Sequence, residues 1–273
     1  MNADGPKEKE TNTGESVDPL INFWIPTTGE PKAGLAKTVE SIMRQTYTNV
    51  KITIGTDSET GHKNAAEVLG QLKPKNYIHF KFPERVTDKD QNGRPERLTS
   101  AAMFALKYDL WQPIGTGDWF EPYHAKKVLE TFNEKKCQWV FSLRSIWDQH
   151  GKFICEDNFE SIGFYPVWNT KDYYLIAGDS FCLPQTMAIS VAHFLTLSRE
   201  LGQRTDKFIF DNMLRLFPKL SCTNTYTYHW QLNRGTPEQL NFAKQWYLRG
   251  QQYMREKFPE GNYPFYKGEF VKK

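Results

Sequence analysis

The sequence predicts one α/β domain with a mixed, mostly parallel sheet flanked by helices. Three observations support this prediction: strand-like and helix-like segments alternate along the first half, the short apolar strands end in polar loops, and no repeat or linker divides the chain. Strand, helix and strand at this spacing form a βαβ unit, in which the strands lie parallel and the crossover is right-handed. The 273 residues are enough to bury a substantial core.

The predicted elements follow from apolar spacing and from Gly, Pro, Thr and Asp at their ends. In the first half they are strand 20–26, helix 35–43, strand 50–54, helix 64–72, strand 77–82 and helix 98–110. In the second half they are helix 124–135, strand 139–148, helix 183–199, helix 205–217, strand 220–230 and helix 236–257. A long polar loop over residues 83–96 interrupts this order, and loops of that length in a compact domain usually serve a function.

Composition excludes several classes of protein. The net charge of +3 and the pI near 8.5 fall short of the dense basic patches of a dedicated nucleic-acid binder. No apolar run approaches the roughly 20 residues of a membrane span, and the polar N-terminal segment lacks the apolar core of a signal peptide. The four cysteines are widely spaced without a C-x-x-C pair, which argues against a zinc ribbon or a redox motif. We therefore expect a cytoplasmic protein with free thiols.

Residues 111–122 contain a run of apolar side chains, two glycines and one carboxylate. Glycine permits backbone conformations and close approaches that a Cβ atom would block, so Gly115 and Gly117 indicate a special turn. Asp118 follows a probable strand and would lie where open α/β sheets bind ligands. The alternative is a tight turn whose Asp caps the next helix, and the segment alone does not choose between them.

Five segments, in order, resemble the family 2 glycosyltransferases with the GT-A fold. They are residues 25–28 (IPTT), 41–49 (SIMRQTYTN), 52–58 (ITIGTDS), 115–122 (GTGDWFEP) and 142–151 (SLRSIWDQHG). The resemblance covers residues 19–235 and implies a GT-A domain over that range. Residues 1–18 would then be a disordered arm, and residues 236–273 a C-terminal helix and tail that pack on the domain.

The activity implied by this resemblance is transfer of a sugar from a nucleotide-diphosphate donor, such as a UDP-sugar, to a hydroxyl acceptor on a glycan or another molecule. The implied donor-binding residues are Pro26, Thr27, Thr28, Asp57, Arg97, Gly117 and Asp118. Asp57 would accept from a pyrimidine N3–H or a ribose hydroxyl, although an Asx turn would also explain it. Arg97 would bind the diphosphate through its guanidinium, with Arg94 as an equal rival and a solvated surface position as the alternative.

A divalent cation is the cofactor that the resemblance implies, because the family's aspartates hold Mg²⁺ or Mn²⁺ against the donor diphosphate. Here Gly115 and Gly117 occupy the first two acidic positions, which leaves Asp118 as one ligand and His229 as a candidate second ligand. Such a cation needs several oxygen ligands. Metal dependence therefore stays open, and a half-buried strand position is the alternative explanation for His229.

An inverting transfer needs a general base for the acceptor hydroxyl. The resemblance implies Asp206 in that role and Asp211 as its alternative, while simple compensation of the helix dipole would also explain Asp206. Asp179 would shape the acceptor site. The aromatic side chains that would form a sugar-stacking wall, unless they pack in the core, are Tyr165, Trp168, Tyr173 and Tyr174.

Two other functions remain compatible with the sequence. A GT-A-like protein without catalysis would bind a nucleotide, a sugar or a protein partner, and the missing acidic positions favour it. An enzyme that glycosylates a nucleic-acid base would use the basic residues between 89 and 97, although the modest charge makes nucleic acid an unexpected partner. The oligomeric state is open.

Overall fold

The computed structural model describes residues 18–82, 94–162, 176, 178–200, 205–233, 235–261, 263–264 and 270–271. The helices are α1 Lys32–Met43, α2 Glu59–Leu72, α3 Arg94–Ala105, α4 His124–Lys135, α5 Gln185–Glu200, α6 Thr205–Leu216 and α7 Pro237–Lys257. The strands are β1 Ile21–Pro26, β2 Val50–Thr56, β3 Tyr77–Lys81, β4 Leu110–Pro113, β5 Trp119–Phe120, β6 Trp139–Trp147, β7 Phe153–Glu156, β8 Phe181–Pro184, β9 Leu220–Gln231, β10 Tyr263–Pro264 and β11 Phe270–Val271. Apart from Asp18, the predicted arm over residues 1–18 lies outside the described residues.

Nine strands of the described part of the chain form one mixed sheet in the order β3-β2-β1-β4-β8-β6-β9-β5, with β7 beside β6. Strands β3, β2, β1 and β4 are parallel, which confirms the predicted βαβ organisation. Strand β8 is antiparallel to its neighbours β4 and β6. Strands β6 and β9 are parallel to each other. The strand order reverses between β1 and β4, and the crevice outside such a reversal is where open α/β sheets bind ligands.

The sheet has a hydrophobic core on each face. Alternation along β1 directs Phe23 and Ile25 towards one core and Trp24 towards the other. Helices α1, α2 and α4 contribute buried side chains to the first core, and α3, α5 and α6 contribute to the second. Helices cover both faces, and the carboxyl ends of the parallel strands form the edge at which α/β sheets bind ligands.

Several predicted boundaries differ from the structure, among them the start of α3, which is Arg94 inside the predicted loop over residues 83–96 rather than residue 98. Helix α3 ends at Ala105 rather than at 110, because Leu110 pairs with Ile21 as part of β4. Strand β8 precedes α5 where the sequence predicted only a helix, since a four-residue apolar run has no distinguishing period. Helix α2 begins at Glu59, five residues before the predicted start, because the Ser58 hydroxyl accepts a hydrogen bond from the Gly61 amide at 3.1 Å and caps it.

Helix α7 packs on the same domain. It begins with a capping box formed by Thr236 and Gln239. Its Tyr247 hydroxyl lies 3.0 Å from the buried Arg144 guanidinium, whose Nε donates to Asp157 Oδ2 at 2.7 Å. These buried contacts attach α7 to β6 and to the turn that follows β7.

Within the described ranges, no helix is long and apolar enough to cross a membrane. The four cysteines are not joined by disulfides in the structure, and three of them are buried.

Candidate active site

The carboxyl ends of β1, β2 and β4 meet at one edge of the sheet. The Thr27 amide donates to the Gly55 carbonyl at 3.0 Å, which joins the loop after β1 to β2. The hydroxyl of Thr116 donates to Thr27 Oγ1 at 2.8 Å, which joins the same loop to the turn after β4. Asp57, half-buried, is the first residue after β2. The edge therefore assembles the loops that contain the expected donor-binding residues.

Within this edge the expected residues have different surroundings. Thr27 is buried and its Oγ1 also accepts from the Gly29 amide at 2.9 Å, so this hydroxyl shapes the loop. Thr28 is exposed, and Pro26 is half-buried as the last residue of β1. Arg97 is exposed in the first turn of α3. Pro26 and Thr28 are therefore the more accessible positions of the β1 loop.

The turn over residues 115–118 requires both of its glycines. A Cβ atom on Gly115 would lie 2.5 Å from Asp118 Oδ2, because the carboxylate folds back over that residue. Gly117 has φ of +96°, and a Cβ atom there would lie 2.1 Å from Asn233 Nδ2. The Gly117 amide also donates to the Thr38 hydroxyl at 3.0 Å. A side chain at Gly117 would be strained by that φ, and one at Gly115 would displace the Asp118 carboxylate from its present position.

Asp118 anchors the turn to β9. Its Oδ1 accepts a hydrogen bond from the backbone N–H of Gln231 at 2.9 Å, and its Oδ2 accepts one from the Tyr228 hydroxyl at 2.9 Å. The side chain does not cap α4, whose N-cap residue is Tyr123. The helix-cap explanation for this Asp is therefore wrong, and its first role is to hold the turn against the sheet.

His229 also belongs to a network of side chains. The Trp147 indole N–H donates to His229 Nδ1 at 3.2 Å, so the proton of the neutral ring is on Nε2, which donates to Glu121 Oε1 at 2.8 Å. Burial lowers the pKa of His229, which favours this neutral form. The ring also stacks on Trp119 with centroids 4.9 Å apart.

Asp118 and His229 do not fit the divalent-cation site that the resemblance implies. Both carboxylate oxygens of Asp118 accept hydrogen bonds, and both ring nitrogens of His229 have partners. Across the described residues, no group of three His, Cys, Asp or Glu side chains is arranged to hold a metal ion. Recruiting either residue would cost buried hydrogen bonds that the turn needs.

Lys37 places a cation beside the same turn. Its Nζ lies 3.1 Å from the centroid of the Trp119 ring and donates to Gln231 Oε1 at 3.2 Å. Burial lowers its pKa to about 8, and the nearby charge of Asp118 opposes that shift. The sequence analysis did not identify Lys37 as a site residue, because no motif includes it. The only indication was the position of a lysine in the helix that follows the first strand.

A cavity of about 260 Å³ opens beside this edge, on the sheet face covered by α3, α5 and α6. Its lining residues are Trp24, Pro26, Glu96, Thr99, Met103, Trp111, Pro113, Gly178, Asp179, Phe181, Leu183, Val191, Leu195, Ile209 and Met213. Asp179, expected near the acceptor, is one of them. The Gln112 side-chain amide donates to the backbone carbonyl of Asp179 at 3.2 Å, which holds the turn that contains Asp179.

The two candidate bases lie on the same helix but on different faces. Asp211 is exposed and pairs with Lys207, and the helical period turns it away from Ile209 and Met213, which line the cavity. Position 206 is in the first turn of α6 and by its spacing shares a face with Ile209 and Met213. The aromatic residues expected to form a stacking wall, at 165, 168, 173 and 174, lie outside the described residues.

The sheet order, the crevice at the strand reversal and the covering helices define a GT-A glycosyltransferase fold. The particular structures that share it include S. aureus TarS, residues 1–349, with a TM-score of 0.53 and 12% identity over 78% of this chain and 60% of that one. The complex of the same TarS segment with UDP-GlcNAc gives a TM-score of 0.54 and 11% sequence identity, over 80% of this chain and 60% of the TarS chain. The complex of that segment with UDP gives a TM-score of 0.54 and 13% sequence identity, over 85% of this chain and 65% of the TarS chain.

The chain thus spans less than two thirds of the length of these TarS structures. It matches no family model and no curated protein sequence. At this identity the similarity is one of fold, and it confirms the GT-A prediction.

Proposed function

We propose that this chain is a glycosyltransferase that moves a sugar from a nucleotide-diphosphate donor to a hydroxyl acceptor. The observation that carries the proposal is the convergence of Thr27, Asp57 and the 115–118 turn at the strand reversal of a GT-A fold. The similar TarS structures contain UDP and UDP-GlcNAc, which supports a UDP-sugar as the donor class.

In this proposal the nucleoside lies against the ends of β1 and β2. Asp57 follows β2 and is half-buried, so its carboxylate suits the N3–H of a uracil ring or a ribose hydroxyl. Pro26, Thr27 and Thr28 form the opposing loop, in which the exposed Thr28 has a hydroxyl to offer the ligand. Arg97, in the first turn of α3, supplies a guanidinium for the diphosphate.

The diphosphate lies against the 115–118 turn. Asp118 keeps the turn in place through Tyr228 and Gln231, while the Asn233 side chain fills the space beside Gly117. Lys37 provides positive charge where the resemblance implies a metal ion, since its Nζ is half-buried beside Asp118. Electrostatic stabilisation of the leaving diphosphate by fixed cations needs no coordination site.

In this proposal the transfer inverts the anomeric centre, and Asp206 acts as the general base. The acceptor oxygen forms a bond to the anomeric carbon while the bond from that carbon to the phosphate oxygen breaks, and the acceptor proton passes to the Asp206 carboxylate. The nucleoside diphosphate leaves with the electron pair of the broken bond. The shared face of positions 206, 209 and 213 favours Asp206 over Asp211, which pairs with Lys207 in solvent.

Donor binding and turnover test the proposal separately. UDP and a panel of UDP-sugars should raise the melting temperature, and at least one UDP-sugar should be consumed to release UDP. Asp206→Asn should abolish turnover and keep the donor-induced shift, whereas Asp211→Asn should keep both. A chain that neither binds nor consumes any nucleotide sugar would contradict the proposal, and binding without consumption would identify a non-catalytic GT-A-like binder.

A further inference from the structure

We propose that Asp179 binds a hydroxyl group of the donor sugar and so selects the donor, an inference that rests on the donor site of the proposed function. Asp179 lies in a short 3-10 turn, Gly178–Ser180, immediately before β8. It is exposed, whereas the nearby Asp118 is buried. A ligand at this edge of the sheet can therefore reach Asp179 directly.

Two distances place the Asp179 carboxylate beside the 115–118 turn. Asp179 Oδ2 is 3.4 Å from the Tyr228 hydroxyl, which donates to Asp118 Oδ2. The same oxygen of Asp179 is 3.9 Å from the position of a Cβ atom built on Gly115. Because the proposed diphosphate lies against this turn, the sugar on its terminal phosphate begins close to Asp179.

The far side of Asp179 faces the proposed reaction partner. Asp179 lines the cavity together with Ile209 and Met213, which by their spacing share a face of α6 with position 206. During transfer the anomeric carbon lies between the leaving diphosphate and the acceptor hydroxyl, whose proton passes to the general base. The transferred ring therefore occupies the space between the turn and α6, and Asp179 borders that space.

Buried polar contacts fix the backbone of Asp179. The Gln112 side-chain amide donates to the Asp179 carbonyl at 3.2 Å, and Gln112 Oε1 lies 3.3 Å from His124 Nε2. Gln112 and His124 are both buried. A carboxylate on an anchored turn loses little freedom when a ligand binds, so it can discriminate between hydroxyl groups at different positions of a sugar ring.

The chemistry of a carboxylate favours a sugar hydroxyl over a phosphate at this place. An ionised carboxylate only accepts hydrogen bonds, and a bond from a hydroxyl to it is charge-assisted. A diphosphate offers it no proton and repels its charge. Among the described residues, nothing lies within 4 Å of a Cβ atom built on Gly178, which leaves room for a ring beside the carboxylate.

Asp179→Asn tests the contact with the donor that the chain consumes, chosen from UDP-glucose, UDP-galactose and UDP-GlcNAc. It should lower kcat/KM by at least about tenfold, the effect of one charge-assisted hydrogen bond, and change the Kd for UDP by less than about twofold. Asp109→Asn is the matched control, because Asp109 is an exposed carboxylate just before β4, at the end of that strand away from the turn. The control should change neither value.

Deoxyfluoro donors separate a hydroxyl contact from a structural role. The 3-, 4- and 6-deoxyfluoro derivatives of the same UDP-sugar each replace one hydroxyl, a hydrogen-bond donor, by fluorine. At the position that Asp179 binds, the unaltered chain should lose about tenfold in affinity by calorimetry, and Asp179→Asn should lose nothing further. Losses that simply add to that of Asp179→Asn at all three positions would overturn the inference.

Gly178→Leu adds a steric test. The backbone of Gly178 is not in the positive-φ region, so a side chain is compatible with the turn. The new side chain would fill the space beside Asp179. It should weaken binding of the UDP-sugar by at least about tenfold while UDP binds as before. Unchanged affinity for the UDP-sugar would show that the ring lies elsewhere.

Failure of this inference can be told apart from failure of the proposed function. Turnover at an unchanged kcat/KM in Asp179→Asn would overturn the sugar contact and leave the transferase intact. A chain whose binding of UDP-sugars depends on Asp179 but that consumes none of them would overturn the transfer reaction, and the sugar contact would stand. A chain that binds neither UDP nor any of the UDP-sugars would overturn both.

Discussion

The hydroxyl of Tyr228 lies 2.9 Å from Asp118 Oδ2 and 3.4 Å from Asp179 Oδ2, so a single phenol links the 115–118 turn to the cavity wall. Tyr228 is fully buried, and burial raises the pKa of its hydroxyl well above the ordinary value. The phenol therefore stays protonated and donates to Asp118. This bond fixes the geometry of the proposed diphosphate edge from a strand more than a hundred residues away in sequence.

Tyr228→Phe should lower both stability and donor affinity. The substitution leaves Asp118 Oδ2 buried without this donor, which should cost about 1–3 kcal/mol in the free energy of unfolding. Urea denaturation and the UDP-induced melting shift measure the two effects. Tyr47→Phe is the control, since the Tyr47 hydroxyl donates to the Pro19 carbonyl at 2.6 Å. That variant should keep its affinity for UDP, and equal losses of affinity in both variants would contradict a local role for Tyr228.

Gly117→Ala should destabilise the chain by about 1–3 kcal/mol, because its φ of +96° is strained for any side chain and the new Cβ atom would meet Asn233. Gly70→Ala is the matched control, because Gly70 lies in α2 with nothing within 4 Å of a new Cβ atom. The control should be neutral or stabilising by up to about 1 kcal/mol. Chemical denaturation of both variants decides the matter, and a neutral Gly117→Ala would show that the turn adapts.

Acid should destabilise the fold through His124. Burial lowers the pKa of His124 to about 3, whereas the unfolded chain has the ordinary value near 6.5. The unfolded state therefore binds the extra proton first, and stability that is complete above pH 6.5 is lost as the pH falls towards 3. Near pH 4 the loss from this residue should be on the order of 3 kcal/mol. His79, whose pKa burial lowers to about 4, acts in the same direction.

Urea unfolding at several pH values measures this loss. His124→Gln should be less stable at neutral pH but less sensitive to acid, because the titrating ring is gone. His150→Gln, at an exposed turn, serves as the comparison and should retain the acid sensitivity of the unaltered chain. An unchanged pH profile in His124→Gln would exclude this histidine as a source of the effect.

Chelation should leave donor binding intact. The Asp118 oxygens and the His229 ring nitrogens already have hydrogen-bond partners, so coordination of Mg²⁺ or Mn²⁺ by either residue would compete with bonds that hold the turn. The UDP-induced melting shift should be the same in EDTA and in Mn²⁺, while Lys37→Met should reduce it. A shift that disappears in EDTA and returns with Mn²⁺ would contradict this assignment.

Much of the fold follows from local patterns in the sequence. The alternation of Phe23, Trp24 and Ile25 and the helical spacing after it predict a βαβ unit, and the structure confirms it. Parallel strands collect their carboxyl ends at one edge, so the placement of Thr27 and Asp57 there was also predictable.

The interior of the site depends on tertiary structure. No local pattern indicates that Tyr228 donates to Asp118, that Asp118 folds over Gly115, or that Lys37 lies on Trp119.

The sequence by itself determined the fold class, the βαβ order and the two glycines of the turn, because backbone preferences and apolar periodicity act between near neighbours. The tertiary structure decided what the glycines are for, which partners the carboxylate and the histidine have, and where the cavity lies. The physical reason is that hydrogen-bond partners and cavity walls come from segments far apart in sequence, and packing alone brings those segments together.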